Sequence, residues 1–297
     1  MAMGRVFLRP IRIRSLPLSP TTPPESADWT PVVLHRARTR RLVHGGEAWR
    51  LWVDSPPAPS SGGLPVIWVL DGADLFALVS ETVRRLSSRP PATGVGPAVV
   101  IGLDRDPADK DRRYADGSPW PSDDPDFSGR AHGGAEALLD VLTGPALGEA
   151  GRVAPVDRSR QILIGHSFMA YFTLYALTVR PEVFRMIGAV SPSIWWNAPR
   201  LTAALEGVRD VGQRAFIAVG EREEPATAQR PGDQRRQNRR VVTRARQAAA
   251  ILEGRLHGRC VFHAAPDEDH GSILPAVLPR LLRFAFADTS EDFGEDG

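Results

Sequence analysis

The chain has 297 residues, 42% hydrophobic and 24% charged, with a formal net charge of +2. These are ordinary values for a globular protein, and the length suits one large α/β domain. The single cysteine, Cys260, excludes an intrachain disulfide, and no apolar run approaches the roughly 20 residues that cross a bilayer.

Residues 1–30 are Pro-rich (Pro17, Pro20, Pro23, Pro24) and read as an irregular arm. Arginines at 5, 9, 12 and 14 interrupt its apolar residues, which makes it a poor secretory leader. Val32–Leu34 and Arg50–Val53 read as early antiparallel strands, joined through the turn-rich segment 56–63 to a buried central strand at Val66–Leu70. A second buried strand follows at Ala98–Leu103. Residues 104–134 read as a long polar loop, of the kind that is usually functional in a compact domain. A helix over 135–142 leads to an apolar strand ending at Gly165 and a helix ending at Arg180-Pro181. Further strands are expected at Met186–Val190, Ala215–Val219 and 260–263. An amphipathic helix spans 235–256, with Val241, Ala245, Ala248, Leu252 and Leu256 as its apolar stripe and Arg236, Arg240 and Arg244 on another face. A last helix starts near Leu274. Strands alternating with helices predict an α/β fold with a mostly parallel sheet covered on both faces, over residues 31–287, followed by an acidic tail, 288–297.

Gly165-His166-Ser167-Phe168 joins the end of a buried strand to the start of a helix. That is the nucleophile elbow of an α/β-hydrolase, in which a sharp turn lifts a serine hydroxyl above the sheet. The final glycine of the usual G-x-S-x-G pattern is Met169 here, and a helix-capping serine is the plain alternative. Chain order favours the elbow. Asp267-Glu268-Asp269-His270-Gly271-Ser272 supplies a late histidine, His270, as general base. The acid is expected after the strand Phe216–Val219, where Glu221, Glu223 and Glu224 compete; Glu223 is favoured, and a Ser–His dyad is the alternative. The oxyanion donors are assigned to the backbone of Phe168 and to the turn Asp71-Gly72-Ala73-Asp74, at Gly72. Trp195 and Trp196 on a post-strand loop, Arg130 in the long loop, and His166 are expected around the substrate. The basic helix carries no aromatic interleaving, so nucleic acid is not expected as a partner, nor is a membrane. No metal-ligand spacing or phosphate loop calls for a cofactor.

These segments resemble, in order, the putative-esterase branch of the α/β-hydrolases, and within it the enterobactin (enterochelin) and salmochelin siderophore esterases. Val69-Leu70-Asp71-Gly72 is similar to that family's oxyanion turn and Gly165-His166-Ser167-Phe168 to its elbow. Ser191-Pro192-Ser193-Ile194-Trp195-Trp196 resembles its tandem-tryptophan stretch, Val219-Gly220-Glu221-Arg222-Glu223 its acidic turn, and Asp269-His270-Gly271-Ser272 its histidine loop. Arg112-Arg113-Tyr114-Ala115 resembles a basic family stretch only loosely, and Met169 departs from the pattern. The resemblance implies hydrolysis of the ester backbone of a catecholate siderophore, with iron arriving on the substrate; the single cysteine, set in an apolar run, fits a reducing, cytoplasmic home. A general carboxylesterase or acyltransferase, and a non-catalytic binding protein on the same fold, are the alternatives.

Overall fold

A computed structural model describes residues 33–34, 36–57, 62–229 and 231–287. The expected N-terminal arm, Val32 and the acidic tail lie outside the described residues. Eight strands form one sheet in the order β1-β2-β4-β3-β5-β6-β7-β8. They are β1 (Ala37–His44), β2 (Glu47–Asp54), β3 (Leu64–Leu70), β4 (Val99–Arg105), β5 (Val156–His166), β6 (Met186–Val190), β7 (Arg214–Gly220) and β8 (Cys260–Ala265). Strands β1 and β2 run antiparallel, and β3 to β8 are parallel to one another. The helices are α1 (Gly72–Leu86), α2 (Pro90–Thr93), α3 (Lys110–Gly117), α4 (Ala135–Val141), α5 (Leu147–Val153), α6 (Phe168–Val179), α7 (Ala198–Glu206), α8 (Asp233–Arg239), α9 (Val241–Arg255) and α10 (Ile273–Phe286).

The central strands are apolar throughout because both faces are covered. β3, β6 and β7 are buried at every position. Helices α1 and α10 pack together, as do α6, α7 and α9, so the sheet lies between two helical layers. Strand β2 alternates instead, with Trp49, Leu51 and Val53 buried.

Three elements differ from the sequence reading. The first strand is Ala37–His44, while Val33 and Leu34 have no regular structure. β1 is an edge strand, mostly exposed and rich in arginine, so it gives no hydrophobic signal and is held by its ladder with β2. The segment 104–134 is not one loop: it contains α3, capped by Asp109, whose carboxylate accepts from Asp111 and Arg112 N–H. The helix expected at 235–256 breaks at Arg240, which adopts a left-handed conformation (φ 49°, ψ 48°) between α8 and α9. The expected stripe of Val241, Ala245, Ala248 and Leu252 is buried on α9.

Candidate active site

Ser167 sits between β5 and α6 at φ 59°, ψ −118°, a backbone conformation that a non-glycine residue adopts only under constraint from its surroundings. Those constraints are visible. Its N–H donates to the Val190 carbonyl (2.9 Å) and its carbonyl accepts from Ser193 N–H (3.1 Å). A side chain at Gly165 would collide with the Met169 carbonyl, so the turn requires that glycine. At the position of the second elbow glycine stands Met169, and Gly117 of α3 leaves space for the end of its side chain. A Cβ at Gly117 would lie 2.9 Å from the Phe168 ring and 3.1 Å from Met169 Cε.

The Ser167 hydroxyl donates to His270 Nε2 (2.9 Å), and His270 Nδ1–H donates to Glu223 Oε2 (2.7 Å). Glu223 is only 4% exposed. Its other oxygen accepts from Gly220 N–H (2.8 Å) and from the Ser191 hydroxyl (2.5 Å). Burial alone would push its pKa up. The hydrogen bonds from His270, Ser191 and Gly220 outweigh burial and hold the carboxyl below the ordinary value. Of the three glutamates after β7, Glu221 is exposed, and Glu224 turns away to accept from Thr243 N–H and the Thr243 hydroxyl on α9. Asp267 pairs with Arg222. Asp269 builds the histidine loop, accepting from Gly271 and Ser272 N–H, which lowers its pKa. That loop is pinned to the acid turn where Arg222 N–H donates to the Glu268 carbonyl (3.0 Å), a close approach that Gly220 permits.

Two clefts open from the Ser167–His270 pair. One, of about 510 Å³, runs past Phe127, Trp195, Arg222, Arg236 and Arg239. The other, of about 580 Å³, runs past Asp71, Asp74, Asp104, Asp109 and Lys110. Arg113 and Tyr114 line both. Each falls within the usual size of a small-molecule site.

Of the expected site residues, Trp196 and Arg130 stand away from both clefts, Gly72 lies one residue behind the lining, and His166 is at the cleft but engaged with His270. Trp196 is fully buried, stacked on Tyr114 (centroids 5.5 Å apart) with its indole N–H on the Trp120 carbonyl, and lines neither cleft. The tandem tryptophans lie on a short 3₁₀ turn, where neighbours point in different directions. One ring therefore becomes the floor, and only Trp195 faces ligand. Arg130 is exposed, pairs with Asp111 and lines neither cleft. Gly72 is buried against Trp52 and also lines neither; its neighbour Asp71 does. His166 lines the second cleft, but its Nε2–H donates to the His270 carbonyl (3.0 Å) and its ring lies 4.8 Å from the His270 ring. Burial, then the adjacent His270, lowers its pKa to about 4. It is thus a neutral donor beside the other histidine.

Of the cleft's arginines, Arg236 and Arg239 were not placed at the site by the sequence. Arg239 lies 3.8 Å over the Trp195 ring, and its Nε is buried without a hydrogen-bond partner among the described residues. Arg236 and Arg239 belong to the basic helix read as an outer surface, and the break at Arg240 turns that segment toward the site. Ser191, which holds Glu223, could have been suspected only from its place after a parallel strand at the same sheet edge. Among the described residues, no group of three or more His, Cys, Asp or Glu side chains is placed to hold a metal ion, and no helix is long and apolar enough to cross a membrane.

This architecture is that of an α/β-hydrolase, with a hydroxyl, an imidazole and a carboxylate aligned at the carboxyl edge of a parallel sheet. Residues 46–266 match the family described as "Putative esterase", and the chain belongs to that family of carboxylic ester hydrolases. It is 29% identical to the ferri-bacillibactin esterase BesA of Bacillus subtilis, over 78% of this chain and 81% of that protein. It is 30% identical to the siderophore triacetylfusarinine C esterase of Aspergillus fumigatus, over 81% of this chain and 87% of that protein. The crystal structure of the BES protein from Bacillus cereus superposes with a TM-score of 0.73 at 25% identity, covering 87% of this chain and 98% of that one.

Proposed function

We propose that this enzyme hydrolyses an ester bond in the backbone of a siderophore, the preferred substrate being an iron-loaded catecholate ester, through an acyl-enzyme on Ser167. The observation that carries the chemistry is the continuous chain from the Ser167 hydroxyl through His270 to the buried Glu223. A free serine hydroxyl is a weak nucleophile and needs an oriented base. His270 Nε2 takes the Ser167 proton as Oγ attacks the ester carbonyl. Glu223 fixes the imidazole tautomer and stabilises its cation. Amides of Phe168 and of the Asp71-Gly72 turn receive the oxyanion. Of that turn, Ala73 N–H is already given to Asp104, and Asp74 and Leu75 N–H to the Asp71 carbonyl. That leaves Asp71 and Gly72 as its free donors among the described residues. His270 then protonates the leaving alcohol and activates water to release the acid.

The substrate class is supported by the relatives' activities and by the first cleft. Arg236 and Arg239 stand there beside an aromatic wall of Tyr114, Phe127 and Trp195, next to Arg113 and Arg222, which pair with Asp71 and Asp267. Such a surface suits a large, aromatic, anionic ligand. A cytoplasmic site of action is part of the proposal, in keeping with the one buried free thiol. The test is hydrolysis of a ferric triscatecholate trilactone and of p-nitrophenyl acetate by the native enzyme and by Ser167→Ala. Both activities should fall by about 10⁴-fold or more in the variant. Cleavage of the simple ester with an intact trilactone would leave a carboxylesterase and remove the siderophore.

A further inference from the structure

We propose that Arg113 is a positioning residue for catalysis: it locks the Asp71-Gly72 turn in its left-handed form and cancels the Asp71 carboxylate beside the developing oxyanion. The inference rests on the reading above in which that turn supplies an oxyanion donor.

Asp71 has φ 56° and ψ 51°, a left-handed conformation that an L-residue holds only when its surroundings impose it. The local chain holds the Asp71 carbonyl, which accepts from Asp74 and Leu75 N–H, but leaves its side chain, which caps nothing in α1, to be fixed from elsewhere. The restraint comes from 42 residues away. Arg113 Nε and Nη2 each donate to one Asp71 oxygen, both at 2.6 Å. Two parallel charge-assisted bonds fix orientation as well as distance. Arg113 is itself placed by the capped helix α3. Burial works against its charge, but the bonds to Asp71 outweigh burial and keep it a cation.

The pairing answers an electrostatic problem. An oxyanion site works through dipoles aimed at developing negative charge. A bare carboxylate on one of the donor residues would oppose that charge at short range, in surroundings that screen it poorly. With Arg113 across both oxygens the Asp71 charge is offset where the turn presents its amides. The guanidinium also lies 5.8 Å from the centre of the Phe168 ring, in the same cleft as Ser167. Arg113 lines both clefts, which makes a substrate anchor the competing role. The edge of its fork made by Nε and Nη2 is given to Asp71, and the experiment below separates this from an anchoring role of the remaining N–H groups.

The experiment uses p-nitrophenyl acetate, which is small and uncharged, with native enzyme, Arg113→Gln, Arg113→Lys, Asp71→Asn and the double variant Asp71→Asn/Arg113→Gln. Losing one oxyanion donor costs about 10²–10³-fold in kcat, which bounds the effect. Arg113→Gln should lose about 30–100-fold in kcat with KM within about twofold, and Arg113→Lys should recover part of that. Asn tolerates the left-handed turn, so Asp71→Asn should lose no more than about tenfold. The double variant should return to the Asp71→Asn level, because the uncompensated carboxylate is gone. Native kcat in Arg113→Gln, single losses that multiply in the double variant, or a defect confined to KM for anionic esters would each overturn the proposal. Should Arg113→Gln not fold, native kcat in both Arg113→Lys and Asp71→Asn would do the same. Activity that survives Ser167→Ala would instead overturn the hydrolytic reading on which the proposal stands.

Discussion

The cleft on the Trp195 side and the cleft on the Asp71 side share Ser167 and His270 but spend their charges differently. In the second, three of the four aspartates are committed to the protein. Asp71 holds Arg113, Asp104 accepts from Ala73 N–H, and Asp109 caps α3. In the first, Arg113 and Arg222 pair with Asp71 and Asp267, Arg236 reaches Asp233 at 3.4 Å, and Arg239 stacks on Trp195 with its Nε 4.0 Å from Asp124 and without a hydrogen bond. Acidity on one side therefore builds the site, while on the other Arg236 and Arg239, weakly paired, keep charge for a ligand. Counting charges would have called these two equal and opposite pockets; following each charge to its partner separates scaffold from recognition surface.

The largest effect should come from what the two clefts share. Glu223→Gln keeps the shape of the acid but not its charge, so it favours the wrong tautomer of His270. A loss of about 10³–10⁴-fold in kcat is expected on neutral and anionic esters alike. Asp269→Asn, tested beside it, should lose far less; an equal loss would move the acid from Glu223 to the histidine loop. A smaller and selective effect is expected from the basic side. Arg236→Gln combined with Arg239→Gln should raise KM for a ferric catecholate ester by about 10–100-fold, roughly 1.4–2.8 kcal/mol for the two solvent-facing contacts together. KM for p-nitrophenyl acetate should barely move. Equal changes on both substrates would erase the distinction between the clefts.

The smallest effect belongs to the acidic side and is read in stability. Burial, aided by the neighbouring Asp71, raises the Asp104 pKa from 3.8 to about 6. Between those values the folded chain binds more protons than the unfolded one, so this group's contribution to stability falls as pH rises through that window. Its full cost is present above about pH 6. Asp104→Asn keeps an acceptor for Ala73 N–H and removes the charge. It should raise Tm at pH 8 by up to about 2–4 °C, with the gain fading as pH falls toward 4. A thermal melt showing a lower Tm at pH 8 would mean that the Asp104 charge is itself needed by the turn.

Much of this was legible before any coordinates. The buried strands announce themselves as apolar runs, and β3 to β8 were placed within a few residues. Serine and histidine were readable because an elbow needs a glycine, a nucleophile and a helix start in immediate succession. Glu223 was harder, since three glutamates share one turn and only the contacts of Ser191 and Gly220 with one of them tell them apart. Edge strand β1 escaped because it buries almost nothing. The tandem tryptophans were over-read: one ring is floor and one is wall, which no adjacency in sequence reveals.

What local pattern determined was therefore the parallel sheet, the elbow and the order of the reactive groups, all set by short-range periodicity and turn geometry. What tertiary packing alone decided was which charges are free. The break at Arg240 turns Arg236 and Arg239 toward the site, and α3 carries Arg113 to Asp71 across 42 residues of chain. A charge has no fixed role until its partner is known. That partner is a matter of distance in space, which a one-dimensional chain records only when the two residues happen to be neighbours.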